Sequence, residues 1–224
     1  ELHLREAIAA YYGNISPDNV VVIPGTQCGF FSVAICLLSK GDEVIVPEPF
    51  YVTYPGVIGA TGASMVMVPL HSENEFQLNV ADVNKAITPN TKAIIINSPN
   101  NPTGAIFSEK TMEAIASLCK EHNLWLISDE VYKEIYYDAV PVSATSLDIP
   151  DRAVVVSSLS KSHAMTGWRL GWIIAPKPLC KHLNNLLSSM LFGAPMFIQD
   201  AAVTALEDKH ITQTMRGIYK VRRD

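Results

Sequence analysis

The sequence predicts an α/β fold in which a mainly parallel, seven-stranded sheet is sandwiched by helices. Three observations lead there. Seven short branched-apolar runs alternate with longer stretches whose apolar residues recur at helical spacing. Gly, Pro, Asn and Asp bound those runs, as they bound strand ends. Runs such as Ala93-Ile94-Ile95-Ile96 are apolar at every position, the pattern of a strand covered on both faces and therefore of a parallel sheet.

Taken in order, Leu2, Leu4, Ala7, Ile8, Tyr11 and Tyr12 repeat with helical period from the start of the chain. Strands are expected at residues 20–23, 43–46, 64–68, 93–97, 125–128, 153–157 and 171–174. Helices are expected at 26–38, 54–60, 80–87 and 108–122, the last capped by Ser108. Residues 176–190 and 195–206 add two more, and 215–224 is a basic helical segment that stops in mid-pattern. Both ends are therefore expected to be cuts within a longer protein. No internal repeat, low-complexity tract or flexible linker interrupts the pattern.

Composition narrows the function classes. A chain of 224 residues with 48% apolar content can bury a substantial core. Seventeen basic residues against 22 acidic ones give a net charge of −5 with no long block of either sign, which argues against a nucleic-acid partner. No apolar stretch approaches the roughly 18 residues that span a bilayer, and Glu1 to Glu6 form no secretory signal, so no membrane partner is expected. Cys28, Cys36, Cys119 and Cys180 show neither metal-ligand nor redox spacing and are expected as buried free thiols. The expectation is a cytoplasmic protein without a metal site.

In parallel sheets ligands collect at the carboxyl ends of strands, and each polar cluster here follows a strand. Pro24-Gly25-Thr26-Gln27 leads into a helix, so the amides of Gly25, Thr26 and Gln27 form a positive helix end suited to phosphate; a capped glycine turn has the same appearance. Pro49 to Tyr54 offers flat aromatic surface, which in most proteins simply packs a core. Asn97-Ser98-Pro99-Asn100-Asn101-Pro102-Thr103-Gly104 is a rigid polar loop that aims Asn101 in a defined direction, or a tight turn before the next helix. Asp129 stands at a strand end with Tyr132 one turn onward. A carboxylate there needs a cation or several donors unless it caps a helix. Gly56 to Gly62 lacks G-x-G-x-x-G spacing and sits late in a helix, which argues against a nicotinamide site. His163 is expected to be structural.

The last cluster runs from Ser158-Leu159-Ser160-Lys161 to Arg169. A lysine amine attacks aldehydes only when unprotonated, a state that burial or a nearby cation promotes. Hydroxyls and Arg169 around Lys161 make a covalent cofactor lysine one reading and a solvated surface lysine the other.

In this order, Gly25-Thr26-Gln27, Tyr51, Asn101-Pro102-Thr103-Gly104, Asp129-Glu130-Val131-Tyr132 and Ser158 to Arg169 resemble the class I/II aminotransferases, fold-type I enzymes that use pyridoxal 5'-phosphate. Five motifs recur in sequence and cover nearly the whole chain. Around Tyr51 and from Ser158 to Trp172 the wording is most similar to that of arginine:pyruvate transaminases. The resemblance implies that Lys161 bonds covalently to the cofactor aldehyde and later shuttles the substrate proton. It implies that Asp129 pairs with the ring nitrogen, that Tyr132 and Asn101 hydrogen-bond the phenolate oxygen, and that Tyr51 stacks on the ring. Arg169, Ser158 and the amides of Thr26 and Gln27 would hold the phosphate, the helix dipole after Gly25 adding to this, and Gly25 and Ser160 also count among the cofactor-binding residues.

The implied activity is ping-pong transfer of an amino group from an amino acid to a 2-oxo acid by a homodimer. A lyase or decarboxylase using the same cofactor, or a non-catalytic regulatory domain of this fold, is the alternative. Residues 1–206 would form the cofactor-binding large domain, and 207–224 the start of a helix leading to a small domain outside the chain.

Overall fold

The computed structural model describes residues 1–13 and 15–224. Its center is a seven-stranded sheet in the order β1-β7-β6-β5-β4-β2-β3. The strands are β1 (Val20–Ile23), β2 (Glu43–Glu48), β3 (Ser64–Pro69), β4 (Thr91–Asn97), β5 (Trp125–Asp129), β6 (Ala153–Ser158) and β7 (Gly171–Ile174). β7 pairs antiparallel with both β1 and β6, and every other pairing is parallel. Six strands therefore end at one edge of the sheet, and β7 begins there.

The central strands are buried on both faces, as their unbroken apolar runs require. Ile94 and Ile96 point into one core layer with Leu126, Val155 and Trp172. Ala93 and Ile95 point into the other with Ile127, Val154, Val156 and Ile173. This is the two-residue alternation of a pleated strand. The first layer is completed by α1 (Leu2–Tyr12), α4 (Val80–Ala86), α5 (Glu109–Glu121) and α7 (Met196–Glu207), which contribute Leu4, Ile8, Val83, Ile115 and Ala202. The second is covered by α2 (Thr26–Leu37), α3 (Tyr54–Gly59) and α6 (Lys177–Met190), through Phe30, Val33, Val57, Leu183 and Leu187. α2 lies close to the sheet because Gly29 has no side chain: a Cβ there would fall 2.4 Å from Ile23 Cδ1 and 2.8 Å from Val156 Cγ1.

One expectation is corrected. Cys119 and Cys180 are buried free thiols, but Cys28 and Cys36 are only half-buried, since both lie on α2 and touch the core from a helix partly open to solvent. The basic helical pattern at 215–224 belongs to a longer helix that falls within the expected 207–224. α8 (Lys209–Arg223) starts directly after Asp208, whose carboxylate accepts from the His210 amide at 2.9 Å and caps it. None of its residues is buried. Among the described residues no helix is long and apolar enough to cross a membrane.

Candidate active site

The register of the sheet brings the strand-end clusters together. Asn97 and Asp129, the last residues of β4 and β5, are direct partners across the parallel pair, and Asp129 faces Val156 of β6 on its other side. Gly171, at the start of β7, faces both Ile23 at the end of β1 and Ser158 at the end of β6. Arg169, two residues earlier, is thereby delivered to the same edge as Gly25 and Lys161. A cavity of about 230 Å³ opens there. A wider groove of about 650 Å³ lies between α5 and residues 142–148, but its lining holds no buried ionisable group, so the chemistry assigns the site to the smaller one.

Asp129 is the most informative group. It is 4% exposed. Its carboxylate accepts from the Tyr54 hydroxyl at 2.7 Å and from the Val131 amide at 3.2 Å. No helix follows it, so it is not an N-cap. Burial pushes its pKa up to about 6 from 3.8, against the opposing effect of those two hydrogen bonds. Among the described residues no cation forms an ion pair with it. A buried carboxylate held this way at a cavity is arranged to meet a positive partner from outside the chain.

The other expected residues surround it. Tyr132 accepts a hydrogen bond from Asn101 Nδ2 at 3.3 Å, and the Asn101 amide donates to Asn97 Oδ1 at 2.7 Å. Burial raises the Tyr132 pKa, with Asn101 opposing, so the phenol keeps its proton and can donate it in a hydrogen bond. Tyr51 is 37% exposed at the cavity and packs edge-on against Tyr54, ring centroids 5.9 Å apart. Ser160 and Lys161 line the cavity with Thr26 and Gln27 of the α2 N-terminus. The Gln27 side chain is fixed by the Thr53 hydroxyl at 2.8 Å.

Arg169 also lines the cavity and adopts a left-handed backbone, φ 51° and ψ 49°, which a non-glycine residue enters only at a cost. Its guanidinium donates to the Thr166 carbonyl at 2.9 Å and lies so near the α2 cap that a Cβ on Gly25 would sit 2.3 Å from Nη2. Gly25 has φ 85°, so glycine is required for backbone and space alike. Nine of the eleven expected site residues line the cavity. Gly25 and Ser158 do not. Gly25 stands behind Arg169, and the Ser158 side chain is buried, accepting from the Ser160 amide at 3.3 Å.

Sequence reasoning missed several contributors. Tyr54 carries no polar signal at its position in α3, yet it is the partner of Asp129. Phe30, Val131 and Thr166 also line the cavity. Glu130, 2% exposed, accepts from Ser128, Ser143 and the Ala144 amide, and so ties the turn after β5 to residues 143–144. Burial raises its pKa against those donors. His163 is buried with Nδ1 2.8 Å from Ser162 Oγ.

An anion cradle at a helix N-terminus, a buried carboxylate and a lysine therefore converge at the strand ends. The family model for aminotransferase class I and II matches residues 1–224. The chain belongs to the class I and II aminotransferase family. Among curated family members it is 52% identical to arginine–pyruvate transaminase AruH of Pseudomonas aeruginosa over 94% of its own length and 54% of the relative's. It is 39% identical to a probable aspartate/prephenate aminotransferase of Aquifex aeolicus over 99% of its length and 59% of the relative's. Among solved structures it matches a double mutant of Thermus thermophilus aspartate aminotransferase with a TM-score of 0.96 at 33% identity, covering all of this chain and 60% of that one. The chain spans between about half and three fifths of the length of the curated relatives it matches.

Proposed function

We propose that the full-length protein is a pyridoxal-phosphate-dependent aminotransferase that moves an amino group from an amino acid to a 2-oxo acid in two half-reactions. The observation that carries this reading is Asp129: a buried carboxylate, its pKa raised by burial, aimed at a cavity with no cation paired to it among the described residues. The residues present fit the cofactor. The pyridinium nitrogen is the cation that Asp129 lacks, and Arg169 with the Thr26 and Gln27 amides offers a phosphate cradle beside it.

When bound, the cofactor supplies an aldehyde for amines and a ring that withdraws electrons from the substrate α-carbon. The chain's own residues do the rest. Asp129 holds negative charge where the ring nitrogen must stay protonated. Tyr132 and Asn101 would supply hydrogen bonds to the phenolate oxygen, and Tyr51 would stack on the ring. Arg169, together with Ser160 and the amides of Thr26 and Gln27, would bind and orient the phosphate, and Ser158, buried beside them, would steady the Ser160 amide that it accepts from. Lys161 Nζ holds the cofactor between turnovers, then takes the substrate α-proton as base and returns it as acid.

The 52% identity to arginine–pyruvate transaminase makes L-arginine and pyruvate the substrate pair to test first. We assign residues 1–206 to the cofactor domain and 207–224 to a helix leading to a small domain, a division supported by the absence of buried residues in α8. A homodimer is supported by the exposed apolar side chains from the end of α6 to the start of α7, where Phe192 is 98% and Phe197 71% exposed. Four unpaired cysteines support a reducing, cytoplasmic setting.

The deciding experiment titrates the full-length protein with pyridoxal phosphate. Wild type is expected to develop a visible absorbance and to convert arginine and pyruvate to their transamination products. Lys161→Ala is expected to do neither. An unchanged spectrum in that variant overturns the lysine assignment, and ammonia release without amino transfer overturns the reaction.

A further inference from the structure

We propose that Lys133 is a positioning residue: its ammonium, held between the rings of Tyr11 and Tyr12, fixes the adjacent Tyr132 in the site and makes α1 part of the active-site framework. The inference rests on the function proposed above. Lys133 Nζ lies 4.7 Å from the Tyr11 ring centroid and 4.8 Å from that of Tyr12. The two rings stand 5.6 Å apart at 73°, and each meets Trp172 edge-on at 6.4 and 6.5 Å. Trp172 Nε1 donates to the Tyr12 hydroxyl at 3.4 Å.

The counterion is the next residue in the chain. Glu134 meets Lys133 Nζ at 3.0 Å, and only 22% and 21% of the two side chains are exposed. Burial alone would push the Glu134 carboxyl up, but the Lys133 charge and the Tyr11 hydroxyl outweigh it and hold the group below its usual value. A lysine on a polar turn ordinarily extends into water. Here it is folded back and shared by two aromatic faces, a contact that strengthens as the cation loses water.

The geometry explains why this matters one residue away. The chain after β5 forms no helix; beyond the Glu130 amide, which donates to the Val156 carbonyl of β6 at 3.0 Å, its backbone is held by the Lys133 amide to the Glu130 carbonyl at 3.0 Å and the Ile135 amide to the Tyr132 carbonyl at 2.8 Å. The Tyr132 hydroxyl accepts from Asn101 Nδ2 at 3.3 Å. Two side-chain anchors flank Tyr132: Glu130, bonded to Ser143 and Ala144, and Lys133 in its aromatic clamp. The same clamp braces Trp172, three residues beyond Arg169. A single aromatic pair on α1 therefore supports both the segment that carries the phenol and the strand that directly follows Arg169.

The test uses full-length protein with Lys133→Met, which keeps the stem and loses the charge, and Lys133→Arg, which keeps a cation able to stack on both rings. Without cofactor, amide hydrogen exchange over residues 130–136 is expected to run at least about tenfold faster in Lys133→Met and near the wild-type rate in Lys133→Arg. With pyridoxal phosphate, Lys133→Met is expected to bind about tenfold more weakly. The pH midpoint of its visible absorbance is expected to move in the direction that Tyr132→Phe moves it, with Lys133→Arg restoring the wild-type midpoint. Where Lys133→Met fails to fold, Tyr11→Leu removes one ring face and takes its place in both measurements. Wild-type exchange and a wild-type midpoint in the charge-free variant overturn the proposal. A wild-type protein that takes up no pyridoxal phosphate overturns the functional reading instead, and the cofactor-free exchange measurement then decides the role of Lys133 by itself.

Discussion

Replacing Asp129 by asparagine is expected to stabilise the cofactor-free protein while abolishing most of its activity. The carboxyl has a pKa near 6 in the fold, against 3.8 for an ordinary aspartate, because burial penalises its charge. The folded state therefore binds a proton more tightly than the unfolded one, and this group costs stability as pH rises from the lower value to the upper one. At 1.36 kcal/mol per unit, the full cost is about 3 kcal/mol above pH 7; about half of it is already present at pH 5. Asparagine has the same shape. Its oxygen can accept from the Val131 amide, and its NH₂ can donate to the Tyr54 hydroxyl, so both hydrogen bonds survive with one direction reversed. Urea unfolding of the full-length apoprotein at pH 5 and 7.5 measures the difference. Asp129→Asn is expected to exceed wild type by about 3 kcal/mol at pH 7.5 and by about half that at pH 5. With cofactor, kcat is expected to fall by on the order of 10²–10³, the usual loss for a pre-placed electrostatic partner. A variant no more stable than wild type at pH 7.5, or a difference that does not grow with pH, would refute the reasoning.

Two neighbouring perturbations test the same frame. Tyr54→Phe removes a hydroxyl bonded to the carboxylate at 2.7 Å. A hydrogen bond to a charged group contributes about 1.5–3 kcal/mol, so Asp129 should rise by a further one to two units. The affinity of the apoprotein for pyridoxal phosphate at pH 7 should drop, and the acid limb of the binding profile should move to higher pH; an unmoved limb counts against the assignment. Gly25→Ala places a Cβ 2.3 Å from Arg169 Nη2 and forces alanine to φ 85°. The backbone strain alone costs about 1–3 kcal/mol, and the displaced guanidinium should weaken pyridoxal phosphate binding more than binding of phosphate-free pyridoxal, as equilibrium dialysis would record.

The strand framework was legible because burial on both faces leaves no freedom in the chemistry of a central strand: positions 93–96 and 153–156 must be apolar throughout. The strand ends were legible for the converse reason. A polar residue where such a run stops, as at Asn97, Asp129 and Ser158, stands where a parallel sheet places its ligands. What stayed hidden are partners made by register. Tyr54 and Asp129 are 75 positions apart, and nothing local marks a tyrosine on an apolar helix as the donor to a buried carboxylate. Lys133 is hidden for a second reason: a lysine between a tyrosine and a glutamate has the sequence signature of a solvated turn, and its aromatic clamp lies at residues 11 and 12. The periodic pattern alone showed α8 only from residue 215, because its cap, Asp208, follows Glu207 in what looks like a run of surface charge.

These hidden contributors share one role. Tyr54, Glu130 and Lys133 each bond to, or sit beside, a residue that sequence reasoning did find, and each holds that residue in place. Reacting groups are restricted in type by the chemistry they perform, so their identities show in a motif. Supporting groups are restricted only by what they must touch. A carboxylate can be steadied by a phenol, an amide or a backbone N–H, and a loop by an ion pair or a cation over a ring. The groups that support a site are consequently where the folded structure adds most to the sequence.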